Sequence, residues 1–323
     1  MRLSRKASLL LAVVLMALPW AGASSQQFPA RPIRIVLGTV AGSGVDLAAR
    51  MLADKMREAL GQPVVVENKS GADGIVAARY VAAAAPDGYT LMLASNGTLA
   101  VNAVLHDRPP YDPVRDFAPI SMVARYSIVL VVGPTVPVNS LRELVAYSKA
   151  HPDQLNYGST SATYTFATEQ LKKLTGADLH QIPYNGSPAV VAALLAGDVQ
   201  VAVLNVLSTS EHIRSGRLRA LAVLNAEREP RLPLVPTIAE AGLRGYDFDV
   251  WTALFAPGGT APDIVARLHE VVARILESPD VRERFAAAGL VPMSSRPEFV
   301  RDLIVRDLSS YAELVKSMRD ASK

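Results

Sequence analysis

The sequence predicts an α/β fold with doubly wound sheets. Strand and helix patterns alternate in the order β-α-β-α-β between Ile33 and Ser95. One device, a strand that leads through a small-residue loop into a helix, occurs twice, at Ile33–Arg50 and at Leu155–Leu171. Of the 323 residues, 50% are hydrophobic and 20% are charged, a balance typical of a globular chain long enough for two domains.

The first part of this alternation consists of three strands and two helices. The segment FPARPIRIVL leads into the first strand, and a helix follows from Val45 to about Leu60. PVVVEN is the second strand, and GADGIVAARYVAAAAPDG is a glycine-rich turn with an alanine-rich helix that stops at Pro86. YTLMLASNGT is the third strand, which runs out into a polar loop. This order predicts a parallel sheet.

The middle of the chain repeats the pattern. Two runs of strand formers lie between Asp116 and Val132. VNSLRELVAYSKAHPDQ is a helix with Asn139 or Ser140 as its cap and Glu143 near the capping-box position. LNYGSTSATYTFATEQLKKLTG then supplies a strand, a polar loop and a helix, which is the second occurrence of the strand–loop–helix device.

Four further strands are predicted after this unit, in HQIPY, VQVAVLN, LRALAVL and DVWTALFAP. The segment SPAVVAALLAGD is a short helix, and another helix runs through Arg214. The chain from Ala261 onward is mostly helix, interrupted at Pro279 and Pro297. We expect these C-terminal helices to return to the first lobe, which would then be built from two chain segments.

The first 23 residues have the pattern of a signal peptide. Arg2, Arg5 and Lys6 precede the apolar run ASLLLAVVLMALPWAG, and Ala21–Ala23 provides the small residues that a signal peptidase requires. We therefore expect a signal peptide over 1–23, cleavage near Ala23 and export of the mature chain. An uncleaved anchor is the alternative, and a lipoprotein is excluded because no Cys lies at the cleavage region.

The charge balance excludes nucleic acid as a partner. The chain carries 33 Lys and Arg against 30 Asp and Glu, and removing the three basic residues of the leader leaves 30 of each sign. The sequence contains no Cys, which rules out disulfides, zinc–thiolate sites and cysteine nucleophiles.

The sequence of the first loop matches part of a dinucleotide-binding motif but lacks its third glycine. Gly42 and Gly44 follow a strand and open a helix, and Glu67 ends the second strand, where an acid that binds ribose would lie. Leu47 occupies the place of the third glycine and would crowd the close contact between helix and strand. We expect no cofactor, and a cofactor-binding oxidoreductase or a tight turn without any ligand are the alternatives.

Asp46 lies in the first turn of the helix that this loop opens. A carboxylate at that place complements the helix dipole or accepts hydrogen bonds from loop amides. Contact with a ligand through the Asp46 side chain is the other interpretation.

No catalytic or metal-binding constellation is recognisable in the sequence. The five histidines show no ligand spacing typical of a helix, and HEVVA, which begins at His269, has Ala273 where a zinc protease needs a second His. Neither a GxSxG nucleophile elbow nor a Walker loop occurs. We expect no catalytic residue and no metal site.

Small polar residues follow several of the predicted strands. They are Thr39 and Ser43, Ser95 and Asn96, Ser159 to Thr163, and Asn205, with Tyr184 and Trp251 as candidates for the walls of a cleft. Hydroxyls, amides and backbone N–H groups without a cluster of Arg or Lys suit a small anion held by many modest hydrogen bonds. Ordinary loop polarity is the alternative, but open α/β sheets bind ligands at such strand ends.

A series of dispersed motifs matches one known family in order. They are FPARPIRIVL, GSGVDLAAR, GQPVVVENKSGADG, AAPDGYTLMLASNGT, YDPVRDFAPI, IPYNGSPAVVAALLAGDVQVAV, SGRLRALAV, LPLVPTIAEAG and FAPGGTAPDIVARL. From about Phe28 to its C-terminus, the chain resembles the extracytoplasmic substrate-binding proteins of tripartite tricarboxylate transporters, also called Bug receptors.

The resemblance implies a periplasmic two-lobed clamp of the Venus-flytrap type that grips a small carboxylate between two strand–helix loops. It places the first lobe in 24–125 plus 224–323, the second in 126–223, and the loops at Thr39–Asp46 and Ser159–Thr163. The expected ligand-binding residues are Thr39, Gly42, Ser43, Gly44, Asp46, Ser95, Asn96, Ser159, Thr160, Ser161, Thr163, Tyr184 and Asn205.

The expected partners are the small carboxylate and the membrane subunits of a transporter, and the receptor is expected to be a monomer. A sensory role for the receptor and a periplasmic enzyme acting on a small carboxylate on the same scaffold are the alternatives.

The chain departs from the family pattern inside both loops. In the first loop, Gly38 replaces a proline, Ser43 a glycine and Val45 a hydroxyl residue. The second loop is shorter and adds Tyr164, and Leu204 stands where an acid commonly precedes the asparagine at Asn205. Because an ammonium group needs an acidic acceptor, the loss of this acid favours a non-amino carboxylate with an apolar or aromatic body.

Overall fold

The computed structural model describes residues 28–321, with the exception of 107 and 247. The predicted signal peptide and its cleavage site lie outside the described residues. From Arg31 onward, the elements belong to one compact unit. The strands of this unit are β1 Ile33–Leu37, β2 Val64–Asn68, β3 Thr90–Ser95, β4 Phe117–Tyr126, β5 Ile128–Val132, β6 Asn156–Ser159, β7 His180–Pro183, β8 Val201–Asn205, β9 Arg219–Val223, β10 Val250–Pro257 and β11 Leu290–Pro292.

The helices alternate with these strands as the sequence predicts. They are α1 Gly44–Leu60, α2 Ile75–Ala82, α3 Asn102–Leu105, α4 Leu141–Ala150, α5 Ala162–Thr175, α6 Ser187–Ala196, α7 Val206–Arg214, α8 Pro262–Glu277, α9 Pro279–Ala287 and α10 Pro297–Ala321. A 3₁₀ turn, Ala72–Gly74, precedes α2, and a π-helical turn, Gly97–Val101, precedes α3. The predicted interruptions at Pro279 and Pro297 are confirmed, since each proline begins a new helix.

Two separate sheets organise the described chain. The first has the strand order β11-β4-β10-β3-β1-β2, and the second has the order β7-β6-β8-β5-β9. Strands β1, β2 and β3 are parallel, as predicted. Strand β10 is antiparallel to both of its neighbours, β3 and β4, so the first sheet is mixed. The α/β fold with doubly wound sheets is therefore confirmed.

The helix caps follow from the local sequence. Ser140 caps α4 by accepting a hydrogen bond from the Glu143 N–H at 3.2 Å, and the Glu143 carboxylate accepts one from the Asn139 N–H at 2.7 Å. This pair is a variant of the predicted capping box, because the carboxylate accepts from the amide one residue before the cap, and it satisfies the Glu143 N–H of the first helical turn and the Asn139 N–H.

The C-terminal helix α10 packs against the cores of both sheets. Its first half contributes Val300, Leu303 and Ile304 to a cluster that also holds Val36 and Trp251 of the first sheet. Its second half contributes residues to a cluster around Ile128, Leu130 and Phe166 beside the second sheet, namely Tyr311, Leu314 and Val315. One continuous helix thus ties the two sheets together.

A buried polar network lies at the point where α10 passes between the two cores. Asp307 is buried and accepts a hydrogen bond from the indole N–H of Trp251 at 2.8 Å. The Tyr311 hydroxyl lies 3.4 Å from the same carboxylate and accepts a hydrogen bond from the Asn96 side chain at 3.2 Å. The network connects α10 to strands β3 and β10 of the first sheet.

The segment between β9 and β10 lies against the second sheet. Leu232 is part of the apolar cluster around Val129, Val131 and Leu204, and Val235 packs against it. The lobe boundaries at 126 and 224 remain a prediction. Among the described residues, no helix combines the length and the hydropathy needed to cross a bilayer.

We predict that Asp307→Ala lowers the free energy of unfolding by about 2 kcal/mol, because the buried Trp251 N–H loses its acceptor. Urea unfolding followed by Trp fluorescence measures the change. Asp302→Ala, an exposed change on the same helix, is the matched control and should shift the free energy by less than about 0.5 kcal/mol. Equal effects of the two substitutions would contradict the assignment.

Candidate functional site

The first loop turns sharply between β1 and α1. Gly42 has a φ of 81°, in the left-handed region that favours glycine. Ser43 caps α1 through a 3.2 Å hydrogen bond from the Asp46 N–H, and its hydroxyl donates to Thr39 Oγ1 at 3.0 Å. The loop is therefore held from within by its own small polar residues.

The Asp46 carboxylate stabilises this loop through several hydrogen bonds. It is 2% exposed and accepts hydrogen bonds of 2.9 to 3.0 Å from the Gly42 N–H, from the Arg50 guanidinium and from the Asn68 side chain. The hydrogen bond from Arg50 has the largest effect and lowers the pKa of Asp46 to about 2, against the opposing effect of burial. The expected bond between Asp46 and a loop amide is confirmed.

The amides at the start of α1 differ in their availability. The Gly42 N–H is engaged by Asp46 and the Ser43 N–H reaches the Val40 carbonyl at 3.4 Å. Within the described residues, the N–H groups of Gly44 and Val45 make no hydrogen bond. Free donors at a helix start, where the helix dipole is positive, favour a negatively charged group.

The predicted residues at the end of β3 separate into two environments. The Ser95 hydroxyl accepts a 3.4 Å hydrogen bond from the Thr98 N–H at the start of the π-helical turn. Asn96 is fully buried, and its side-chain nitrogen donates to the Asp249 carbonyl at 2.9 Å and to the Tyr311 hydroxyl. Asn96 is therefore anchored to the network beside α10.

The second loop is built from hydroxyl residues between β6 and α5. Ser159 bonds Thr165 at 2.7 Å and the Ser161 carbonyl at 3.2 Å. Thr160 and Ser161 are partly exposed, while Thr163 in the first turn of α5 is buried. Like the first loop, this one leads directly from a strand into a helix.

The segment that follows β3 approaches the second loop at Gly97. A Cβ atom built on Gly97 would overlap the Thr163 hydroxyl and would lie 3.4 Å from the Ser95 hydroxyl. Gly97 follows β3 of the first sheet, and Thr163 follows β6 of the second. The structure therefore brings predicted site residues from both sheets into contact, and glycine at position 97 permits it.

Sequence reasoning missed two hydroxyl residues, one of which lies beside the first loop and the other beside Ser95. Tyr126 ends β4, and its ring lies 3.2 Å from the position that a Cβ on Gly44 would take. Thr252 on β10 pairs with Ala124 and with Ser95, so Tyr126, Thr252 and Ser95 share one face of the sheet. The buried hydroxyl oxygens of Tyr126 and Thr252 lie close to each other, and neither makes a hydrogen bond of good geometry within the described residues.

Tyr164, the residue that the second loop adds, lies close enough to Tyr126 to raise its pKa. Burial is the larger cause of the raised pKa of Tyr126, and the Thr252 hydroxyl beside it acts in the opposite direction. Burial also raises the pKa of Tyr164, against the lowering effect of Asn205. Both phenols are therefore protonated donors at neutral pH.

The remaining predicted residues lie on the second sheet. Asn205 caps α7 by accepting a 2.8 Å hydrogen bond from the Ser208 N–H, and its amide nitrogen donates to Ser187 at 3.3 Å. The Tyr184 N–H donates to the Ser159 carbonyl at 2.8 Å, which joins the segment after β7 to the second loop.

The prediction that Trp251 forms a wall of the cleft is wrong. Trp251 is fully buried on the face of β10 opposite to Thr252, with its N–H on Asp307. Successive residues of a strand point to opposite faces, which places Thr252 at the site instead. Glu67, the acid that a ribose would need, forms a 2.7 Å ion pair with Lys69.

One surface cluster of possible metal ligands occurs among the described residues. The His180 Nε2 atom lies 3.1 Å from the Asp153 carboxylate and 3.3 Å from that of Asp178, and none of the three side chains is buried. The cluster lies at the start of β7, at the opposite end of this strand from Tyr184. These contacts form a solvent-exposed polar cluster.

Comparison with known proteins identifies the family. The model of the tripartite tricarboxylate transporter family receptor matches residues 48–319. The chain belongs to this receptor family. Protein BugT of Bordetella pertussis is 38% identical to it over 296 residues, which cover 91% of each chain.

Solved structures of related proteins have the same fold as this receptor chain. Rpa4515 of R. palustris, solved with adipate, has a TM-score of 0.80 at 33% identity and covers 90% of this chain and 97% of its own. MatC from Rhodopseudomonas palustris, solved with bound malate, has a TM-score of 0.78 at 32% identity and covers 89% and 100%. The periplasmic binding protein BugD has a TM-score of 0.77 at 31% identity and covers 90% and 98%.

We predict that the stabilising effect of Asp46 depends on pH. Its folded-state pKa of about 2 lies below the ordinary value of 3.8, so the carboxylate stabilises the fold above pH 4 and loses this effect as the pH falls towards 2. Asp46→Asn should cost about 2 kcal/mol at pH 7 and progressively less at pH 4 and pH 3. Urea unfolding at the three pH values measures this cost.

Asp54→Asn, an exposed change on the same helix, is the control for the Asp46 measurement and should show no such trend. A cost of Asp46→Asn that stays constant between pH 7 and pH 3 would show that the carboxylate does not brace the loop through its charge.

Proposed function

We propose that this protein is a periplasmic solute-binding receptor, which captures a small carboxylate between its two strand–helix loops and delivers it to membrane subunits of the tripartite tricarboxylate type. The meeting of Thr163 with Gly97 is the observation that carries this proposal. It brings the helix starts that follow β3 and β6, one from each sheet, into direct contact. In this proposal, the expected ligand-binding residues that keep free donors contact the carboxylate, whereas Asp46 and Asn96, which are bonded within the protein, hold the site in place.

The chemistry of the loops supports an anionic ligand. The Gly44 and Val45 N–H groups are free at the positive end of α1, the Tyr126 ring lies beside Gly44, and Ser95, Tyr126 and Thr252 share one face of the first sheet. Many neutral donors can hold a carboxylate while leaving each contact weak enough for release.

The relatives support the same ligand class. Rpa4515 was solved with adipate and MatC with malate, and both ligands are dicarboxylates. Residues 1–23 would direct the chain to the periplasm, where a receptor meets solutes before transport. We infer binding without catalysis, because the one carboxylate of the two loops, Asp46, is held by Arg50 and Asn68.

A thermal-shift screen with adipate, malate and NAD tests the proposal. A carboxylate at one hundred times its Kd should stabilise the protein by about 2.7 kcal/mol and raise its Tm, whereas NAD should have no effect. Small-angle scattering at saturation should show a smaller radius of gyration, since closure of two lobes requires tighter binding to the closed state. A shift with NAD alone would reopen the interpretation as an oxidoreductase.

We predict that Gly97→Ala weakens carboxylate binding at least tenfold, because the new methyl group overlaps the Thr163 hydroxyl and displaces the second loop from the segment after β3. Isothermal titration with the carboxylate found by the screen measures the loss. The matched double variant Gly97→Ala/Thr163→Ala removes the overlapping hydroxyl and should recover part of the affinity. If Gly97→Ala binds the carboxylate like the wild type, ligand binding does not require the contact between Gly97 and Thr163.

A further inference from the structure

We propose that Tyr126 and Thr252 are specificity-determining donors for the carboxylate group of the ligand, and that the receptor selects carboxylates without an ammonium group. This inference rests on the proposed function and names the ligand class that the same site accepts.

The first step is the unpaired state of the two hydroxyls. A buried hydroxyl without a hydrogen-bond partner is costly, and native proteins keep few of them. Tyr126 and Thr252 carry two such oxygens on one face of the first sheet, in the row that also holds Ser95. These two neighbouring hydroxyls, one on a ring beside Gly44 of the first loop, would gain well-aligned hydrogen bonds from a bound ligand.

The second step is the convergence of donors. The Tyr126 ring is in close contact with Gly44, at the start of α1. The start of α1, where the N–H groups of Gly44 and Val45 are free, therefore lies beside the Tyr126 ring, and Tyr164 at the start of α5 approaches the same side chain. A carboxylate accepts several hydrogen bonds and donates none, so it matches this set of donors.

The third step is the lack of an available acceptor for an ammonium group. Asp46 is the one acid in the two loops, and its oxygens already accept hydrogen bonds from Gly42, Arg50 and Asn68. Leu204, before the Asn205 cap, is fully buried in an apolar cluster. A bound ammonium would lose its hydration without gaining a carboxylate partner from either loop, which is costly.

The test uses ligand pairs that differ at one group, adipate against 2-aminoadipate and malate against aspartate. Isothermal titration is carried out on the wild type, Tyr126→Phe, Thr252→Val and the double variant. Both substitutions delete a hydroxyl and keep the shape of the side chain. Tyr80→Phe, which removes a phenol hydroxyl from the outer face of α2, is the matched control.

We expect the wild type to bind at least one non-amino ligand at least tenfold more tightly than its amino partner. Each site variant should bind that ligand about tenfold more weakly, the usual effect of one lost hydrogen bond to a charged group. The ligand-free Tm of both site variants should stay equal or rise, because an unpaired buried hydroxyl has been removed. Tyr80→Phe should leave the affinity unchanged.

The outcomes separate the two proposals. If the wild type binds adipate or malate and the two site variants bind it equally well, the donor assignment is overturned while the receptor stands. A lower ligand-free Tm with unchanged affinity would assign the hydroxyls a purely structural role. Tighter binding of the amino ligands overturns the selectivity, and binding of none of the four ligands overturns the proposed receptor for these carboxylates and this inference with it.

Discussion

The rest of the site depends on the conformation of the first loop, which the hydrogen bonds to the Asp46 carboxylate stabilise. One carboxylate joins the loop amide of Gly42, the next turn of α1 through Arg50, and the end of β2 through Asn68. These bonds keep the glycine turn closed and leave the following amides, Gly44 and Val45, free at the helix start. The same bonds engage the Asp46 oxygens, so the groups that the loop leaves free for a ligand are hydrogen-bond donors and not a carboxylate.

The two sheets are connected by a different kind of contact. Helix α10 buries apolar side chains in both cores, and Asp307 pairs with Trp251 where the helix passes between them. Asn96 joins this network through Tyr311, although its neighbours Ser95 and Gly97 face the loops. Helix α10, which packs against both cores, thus fixes one side of the end of β3. The other side of the end of β3 contacts the second loop.

The composition of the site explains how a receptor could hold an anion without a strong cation. The Arg50 guanidinium donates hydrogen bonds to Asp46. The groups at the loops that are left to bind an anion are amides, alcohols and phenols. Burial keeps the phenols protonated, since it raises the pKa of Tyr126 and Tyr164. In the proposed receptor, such neutral donors would bind a carboxylate by geometry, and release would follow when the lobes separate.

The sequence by itself determined the strand–loop–helix units, the capping box at Ser140 and the parallel pairing of β1 to β3, because local patterns and short connections control these features. It also indicated the family and the two loops. Tertiary structure decided that Thr252 and not Trp251 faces the site, and that Tyr126 stands beside it. Their juxtaposition arises from the antiparallel pairing of β4 with β10. Strands so distant along the chain meet through long-range packing, which local sequence does not encode.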